Sequence, residues 1–216
     1  MSRSTNNSAC LTFDDGPDPV WTPRILDALD EFDARATFFV ITPLARRHPR
    51  LIERMREAGH EVALHCERHV RHTELTTDEI LTDTRNGLED LARLGVHPKS
   101  WRPPWGVVTE GTKRVSGHHG LDLALWTLDT HDWRGDSWEA MLESIGPELS
   151  GGSIVLMHDG LGPGARRDGC AETLILVPAL IEACTARGLE PTTFAELRAS
   201  QRSGKNKERM PLSEAR

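Results

Sequence analysis

The sequence predicts an α/β fold, a barrel of about seven parallel strands that is either closed or left open at one side. Short apolar runs alternate with segments whose apolar residues recur at helical spacing, which is the pattern of parallel βα units. Seven strand candidates are more than a small open sheet needs, and polar reactive residues follow the ends of several of them. A doubly wound sheet is the alternative architecture.

The first half of the chain supplies three strand candidates, residues 8–13, 36–41 and 61–66. A helix is predicted after the first strand from Thr22, a typical N-cap residue that is followed by proline. A second helix runs from Pro49 to about Gly59. Thr76 and Glu79 have the spacing of a capping box, which predicts a third helix that ends near residue 95.

The second half supplies strand candidates at residues 100–105, 121–128 and 153–158, and a short one near 191–194. Helices are predicted near 137–149 and 174–187, the latter with Pro178 near its start or at a kink. We therefore expect a flexible N-terminus at residues 1–7, one domain at 8–199 and a disordered polar tail at 200–216.

Composition restricts the class of protein. The 216 residues are 38% hydrophobic and 27% charged, which is ordinary for one globular domain. The net charge of −7 disfavours nucleic acid as a partner. No run approaches the roughly 18 apolar residues of a membrane span, and no signal peptide is recognisable. We expect a cytoplasmic protein with no membrane or obligate protein partner, and free thiols at its four cysteines.

Reactive residues concentrate at the predicted strand ends. In a parallel barrel these ends meet at one face, where active sites are built. The residues are Asp14 and Asp15 after the first strand, His65 and His69 at the third, Arg102 at the fourth, Asp129, Asp132 and Trp133 after the fifth, and His158 and Asp159 at the sixth.

His65 and His69 are four residues apart, a spacing that lets two imidazoles bind one metal. The pair alone is a weak signal, and a carboxylate from Asp14-Asp15 strengthens it. A His-His-Asp set leaves positions open for water and substrate, and the remaining carboxylate is free to act as a base. Protonation of a leaving group would then fall to His158. The alternative for Asp14-Asp15 is a plain turn, because DDGPDP is rich in turn formers.

Five motifs occur in order along the chain: TFDDG, HxxxH, RPPWG, DTHDW and LMH. Together with GHE and ATFFV they resemble the NodB-homology polysaccharide deacetylases, carbohydrate esterase family 4, over about residues 9–197. The resemblance implies a distorted (β/α) barrel and the metal-dependent removal of N- or O-acetyl groups from sugars.

The resemblance also implies a metal centre. Asp15, His65 and His69 would hold a divalent metal, commonly zinc, although such sites also accept cobalt or nickel. The general base would be Asp14, oriented by Arg102.

Leaving-group and substrate roles follow from the same resemblance. His158 would be the general acid, with its charge set by an aspartate of DTHDW, for which we prefer Asp132 to Asp129. The backbone N–H of Trp105 would bind the oxyanion, and Leu156 would line the pocket for the acetyl methyl group.

Other side chains bear on substrate choice. Trp105 and Trp133 can stack on sugar rings, with Trp133 in the groove wall, whereas we expect Trp101 and Trp126 to pack in the core. The segment 159–173 is longer than the usual connection, and its Arg166-Arg167 pair is predicted to hold a substrate carboxylate or phosphate. The alternative for that pair is a solvated loop tip.

Cys66 stands where the family often has serine or threonine; it is either a small filler or an oxidant-sensitive soft ligand. The expected function is removal of an acetyl group from an N-acetylated amino sugar: a soluble chitooligosaccharide, a cell-wall precursor or a small glycoside. The alternatives are a hydrolase of another amide or imide, or a catalytically silent carbohydrate-binding module.

Overall fold

The computed structural model describes residues 7–209, with side chains up to residue 203. The strands are β1 (Ser8–Asp14), β2 (Thr37–Ile41), β3 (Glu61–Cys66), β4 (Ser100–Trp101), β5 (Asp122–Leu123), β6 (Leu128–Asp129), β7 (Ile154–His158) and β8 (Glu190–Thr192). The helices are α1 (Trp21–Asp30), α2 (Thr42–Arg47), α3 (Pro49–Glu57), α4 (Thr77–Arg93), α5 (Glu110–His119), α6 (Trp138–Ile145), α7 (Ala171–Thr185) and α8 (Phe194–Arg209).

The strands form one parallel sheet that curls into an incomplete barrel. Seven strands follow the order β5-β4-β3-β2-β1-β7-β6, and β8 pairs with the first residues of β1. The short segment 124–127 joins the two edge strands. The Ala124 backbone N–H donates to the Trp101 carbonyl oxygen, and the Thr127 backbone N–H donates to the Ile154 carbonyl oxygen, each at a distance of 2.9 Å. The predicted incomplete barrel of parallel strands is therefore confirmed, and the doubly wound alternative is wrong.

Side chains of β1 alternate between the two faces of the sheet, as strand geometry requires. Leu11 and Phe13 are fully buried under the helices, where the Phe13 ring stacks on Phe38 at 5.0 Å. Thr12 and Asp14 lie on the opposite, inner face, where both bond to one buried arginine. This alternation brings polar groups into the barrel at the end of its central strand.

The start of α8 covers the inner face of the sheet. Phe194 and Leu197 pack there in a small apolar cluster with Cys10, Phe39 and Ala63. The helix continues to Arg209, and the Arg202 guanidinium bonds to both carboxylate oxygens of Asp122 at 2.7 and 2.8 Å. Residues 200–209, which were predicted to belong to a disordered tail, continue α8 in the structure, while residues 1–6 and 210–216 lie outside the described part.

Three helices were not predicted, α2, α5 and α8. The α5 sequence EGTKRVSGHH has little apolar periodicity, and its N-terminal capping box pairs Thr109 with Thr112 rather than with a glutamate. The Thr76–Glu79 capping box of α4 is confirmed. Pro178 lies inside α7, which begins at Ala171, earlier than expected.

Two predicted strands are much shorter than expected. At residues 100–105 only the first two residues pair with neighbours, because Pro103 and Pro104 have no N–H to donate to a ladder. The candidate at 121–128 divides into β5 and β6, because the chain leaves one edge of the sheet there and joins the other. Within the described residues, no helix has the length and apolar character needed to cross a membrane.

Candidate active site

The predicted site residues converge at the carboxyl ends of the strands. Asp14 ends β1 and His158 ends β7, and their Cα atoms are register partners across the two strands. His65 lies near the end of β3, and Arg102 directly follows β4. These ends surround a cleft of about 350 Å³, lined by both aspartates of the first motif, both histidines of HxxxH and His158.

Asp15, His65 and His69 form a three-residue cluster with the geometry of a metal site. The Asp15 Oδ1 atom lies 3.3 Å from Nε2 of His65 and 3.2 Å from Nε2 of His69. Asp15 has a left-handed backbone, with φ of 72°, which aspartate tolerates better than most residues. Burial acts to raise the pKa of its carboxyl, but the two histidines outweigh burial and hold that pKa well below its usual range.

The ring of His65 is fixed by a hydrogen bond to the backbone of Arg102. Its Nδ1 lies 2.7 Å from the Arg102 carbonyl oxygen, so Nδ1 carries the proton and Nε2 presents a lone pair to Asp15. Trp101 Nε1 donates a bond of 3.1 Å to the His65 carbonyl oxygen, and the ring of His69 packs on Trp105 at 4.2 Å. Trp101 is buried in the core, as predicted.

The cluster fits a divalent metal. Atoms that bind one tetrahedral zinc at about 2.0–2.2 Å lie roughly 3.3–3.6 Å apart. The spacings from the Asp15 oxygen to the two imidazole nitrogens match that range. This oxygen is buried and has no hydrogen-bond partner within residues 7–203. Two imidazole nitrogens and a carboxylate oxygen at this distance could share one cation.

Asp14 lies beside the cluster and is held by Arg102, whose side chain is fully buried. The Arg102 Nη1 atom donates 2.8 Å bonds to Asp14 Oδ1 and to Thr12 Oγ1, and its Nε donates to the Ala124 carbonyl oxygen. The guanidinium also lies 4.2 Å from the centre of the Phe39 ring. Asp14 also lines the cleft.

His158 lies on β7, the strand next to that of Asp14, and pairs with Asp132. Its Nδ1 is 2.7 Å from Asp132 Oδ1, and its backbone N–H donates to Oδ2 of the same carboxylate at 2.9 Å. Burial acts to lower the pKa of His158, but Asp132 outweighs burial, with smaller contributions from Asp15 and Asp14, and raises that pKa to about 9. Asp129, the rival candidate, instead accepts a bond from the His131 backbone N–H.

Arg167 points inward rather than toward substrate. Its Nη1 donates to Asp132 Oδ2 at 2.9 Å, its Nη2 donates to the His158 carbonyl oxygen at 3.1 Å, and only 6% of the side chain is exposed. The prediction that Arg166 and Arg167 act together on a substrate anion therefore has to be corrected. Arg167 is held by the buried Asp132 carboxylate, which accepts several hydrogen bonds, whereas Arg166 is exposed.

Tryptophans and Leu156 form the walls of the cleft. Trp105 and Trp133 line it as predicted, and Leu156 of β7 lies at its apolar side. Trp126 also lines it, which corrects the expectation of core packing. Trp105 has a left-handed backbone with φ of 54°, and its N–H finds no acceptor within residues 7–203.

Residues 159–173 lie against the metal cluster. A Cβ at Gly160 would be 2.5 Å from the Asp15 carbonyl oxygen, and one at Gly162 would be 2.0 Å from Asp15 Oδ2. Glycine is therefore required at both positions for the chain to approach this closely.

Some residues of the site were not predicted from sequence. Thr12 bridges Arg102 and the Val155 carbonyl oxygen, and Thr173 donates a 2.7 Å bond to Asp132 Oδ2. Asp159, by contrast, was among the predicted strand-end residues; it is buried against Gly16 and accepts a bond from Thr22, and its burial raises its pKa to about 7. The signal for Thr12 was its period-two spacing with Asp14.

Cys66 is buried, and the cluster of potential ligands does not include it. Burial raises the pKa of its thiol well above the usual value, and thiols of that kind are unreactive. Its position fits the filler interpretation. The prediction of free thiols is confirmed for all four cysteines.

A carboxylate and a histidine beside a three-residue cluster that could hold a metal, in one cleft at the carboxyl end of a parallel barrel, form an arrangement typical of hydrolases. The sequence model described as polysaccharide deacetylase matches residues 2–124, which is more than half of the chain. The chain therefore belongs to the polysaccharide deacetylase family, the NodB-homology group of carbohydrate esterase family 4.

Named relatives agree with this assignment. The chain is 35% identical over 200 residues to a chitooligosaccharide deacetylase of Bradyrhizobium sp., covering 87% of this chain and 89% of that protein. It is 32% identical over 152 residues to a peptidoglycan-N-acetylglucosamine deacetylase of Bacillus cereus, covering 69% and 71%.

Solved structures have the same fold. The family 4 carbohydrate esterase from Streptomyces lividans in complex with acetate matches with a TM-score of 0.77 and 30% identity, over 87% of this chain and 93% of that one. The peptidoglycan deacetylase PdaC from Bacillus subtilis matches with a TM-score of 0.81 and 26% identity, over 96% and 97%.

Proposed function

We propose that this protein removes the acetyl group from an N-acetylated amino sugar, with Asp14 as general base and His158 as general acid. The observation that carries the proposal is the placement of a carboxylate and a histidine, each held by a partner of opposite charge, on neighbouring strands. Asp14 is paired with a cation, Arg102, and His158 with an anion, Asp132. The Asp132 partner keeps His158 protonated as an acid, and the Arg102 partner orients the Asp14 carboxylate.

Asp15, His65 and His69 would hold the divalent metal, for which zinc is the first candidate and cobalt or nickel the alternatives. The metal, when bound, supplies Lewis-acid activation of water and of the acyl oxygen. The hydrogen bond between His65 Nδ1 and the Arg102 carbonyl oxygen supports this role. It places the proton on Nδ1 and leaves Nε2 unprotonated to bind a metal.

Asp14 accepts the proton of the attacking water. The 2.8 Å bond from Arg102 holds the carboxylate in one orientation. Because Arg102 is itself anchored to Thr12 and to the Ala124 carbonyl oxygen, the base cannot turn away from the cleft. The role of Arg102 is therefore to position the base.

His158 donates a proton to the departing amine nitrogen. An ordinary histidine has a pKa of about 6.5 and is mostly neutral at pH 7, whereas the Asp132 carboxylate keeps His158 protonated there. The unbonded N–H of Trp105 is the donor for the oxyanion. Leu156 contacts the acetyl methyl group, and Trp105 and Trp133 stack on the sugar rings.

Substitution of Asp132 by asparagine should move the basic limb of the kcat/KM profile to lower pH. The acid works only while His158 is protonated, so activity is lost as the pH rises through its pKa. Loss of the Asp132 charge lowers that pKa from about 9 toward its ordinary value. The measurement is a pH profile of acetate release, with thermal unfolding recorded on the same samples.

Asp129→Asn is the matched control, because this carboxylate borders the same cleft without contacting His158. We expect its basic limb to stay where it is in the parent protein. A basic limb that stays in place in folded Asp132→Asn would remove His158 from the role of acid.

The substrate class is tested by acetate release from a panel of acetylated compounds. The panel contains chitooligosaccharides, peptidoglycan fragments, nucleotide-linked N-acetylglucosamine and acetylated xylan, with zinc-loaded protein and a chelated control. We expect chelator-sensitive acetate from an N-acetylated member. Protein that holds metal but releases acetate from none of them would contradict the proposal and favour another amide or a silent binding domain.

A further inference from the structure

The backbone between the two ligand histidines is held by a carboxylate of α4. Asp83 Oδ1 accepts a 3.0 Å bond from the backbone N–H of Glu67, and its Oδ2 accepts a 2.8 Å bond from that of Arg68. Glu67 and Arg68 lie in the bend between His65 and His69. The two oxygens of one side chain therefore hold two consecutive residues of the segment that carries the ligands.

Close packing of α4 on β3 places this carboxylate. A Cβ at Gly87 would be 2.8 Å from Leu64 Cδ1, so glycine lets the helix approach the strand directly before His65. Asp83 lies one turn before Gly87 on the same buried face of α4. Only 6% of its side chain is exposed, and Arg68 Nε lies 3.4 Å from its Oδ2. Asp83 is therefore a buried acceptor that the helix holds at the end of β3.

The two ligand histidines differ in what fixes their rings. His65 Nδ1 bonds to the Arg102 carbonyl oxygen, whereas His69 Nδ1 is buried and has no hydrogen-bond partner among the described residues. A metal-binding histidine is usually oriented by a hydrogen bond at its other ring nitrogen. Because His69 lacks that bond, its position depends on its contact with Trp105 and on the backbone before it. Asp83 holds the two residues of that backbone that directly precede His69.

We propose that Asp83 is a positioning residue for the metal: it fixes the segment between His65 and His69 in the geometry that binds the ion, and so strengthens metal binding. This inference rests on the metal site of the proposed function. Without Asp83 the two backbone N–H groups lose their buried acceptor, and the segment has to rearrange to satisfy them. His69 would then occupy its ligand position for a smaller fraction of the time, which lowers the affinity for the ion.

The test measures zinc affinity by competition with a chromophoric chelator, a readout that needs no turnover. We expect Asp83→Ala to bind zinc about 10–100-fold more weakly than the parent protein, which is the usual effect when a group that supports a ligand is lost. Asp83→Asn keeps one of the two acceptor oxygens, so its loss of affinity should be smaller, and it carries the test if the alanine variant does not fold. Acetate release by either variant should fall at limiting zinc and recover when zinc is in excess.

Asp90→Ala is the matched control. Asp90 is as buried as Asp83 and lies two turns further along the same face of α4, but it pairs with Arg46 and Arg93 instead of with the segment between the histidines. Both alanine changes remove a buried carboxylate that accepts hydrogen bonds, so both should lower the thermal stability of the metal-free protein. Only the change at Asp83 should weaken zinc binding.

The outcomes separate this inference from deacetylation. Parental zinc affinity in folded Asp83→Ala or, if that variant does not fold, in Asp83→Asn would overturn the positioning role and leave deacetylation standing. An equal loss of affinity in Asp90→Ala would also overturn it, because the effect would then follow from a weakened helix. A parent protein that binds zinc but releases no acetate would overturn deacetylation and leave the role of Asp83 in metal binding standing. No zinc binding by the parent protein would overturn the metal site and this role with it.

Discussion

Replacement of Asp14 by asparagine should lower kcat by about 10²–10⁴-fold while the protein still binds its metal. Asparagine keeps the oxygen that accepts the bond from Arg102, so the packing around the buried guanidinium is retained. It cannot take a proton from water at neutral pH, and the attacking nucleophile is then not formed. The measurements are acetate release under saturating substrate and metal content per chain by elemental analysis.

Asp18→Asn is the control for a change of charge nearby. Asp18 belongs to the same DDGPDP turn, but its carboxylate bonds to the backbone N–H groups of Val20 and Trp21 and does not line the cleft. We expect this variant to retain turnover. Near-normal turnover in folded, metal-loaded Asp14→Asn would rule out Asp14 as the base.

Replacement of Asp15 or His65 by alanine should remove metal binding and acetate release together. Each change deletes one member of a three-ligand cluster, and even the loss of a supporting contact around a ligand costs about 10–100-fold in metal affinity. The Asp15 change also leaves two histidines without the carboxylate between them. The measurement is a zinc titration of metal-free protein, followed by acetate release from each titrated sample.

His118→Ala is the matched control, since His118 is an exposed histidine of α5 outside the cluster. It should bind metal and release acetate as the parent does. Full metal occupancy in His65→Ala would show that the metal lies elsewhere and would invalidate the ligand assignment.

Much of the site was predictable because its residues follow strands, and parallel strands end at one face of a barrel. Asp14 and His158 illustrate this, since they are far apart in sequence but are register partners across β1 and β7. The HxxxH spacing indicated the ligand histidines, and the paired aspartates indicated one ligand and one free carboxylate. The preference for Asp132 over Asp129 agrees with the bonds of Asp132 to His158.

What the sequence could not predict depends on where side chains point. Arg166 and Arg167 are neighbours in sequence, yet one faces solvent and the other is drawn inward by the Asp132 carboxylate. Arg71 stacks on Trp105, which is distant in sequence. Arg202 of α8 contacts Asp122 across the fold, a pairing that local composition does not reveal.

The central claim is that one divalent ion, held by Asp15, His65 and His69, is required for the hydrolysis that Asp14 and His158 carry out. The most direct test adds zinc stepwise to metal-free protein and measures acetate release from an N-acetylated chitooligosaccharide. The account predicts that activity rises in proportion to bound zinc and stops rising at about one ion per chain, as a single three-ligand cluster requires. Full acetate release by protein shown to be free of metal would contradict it.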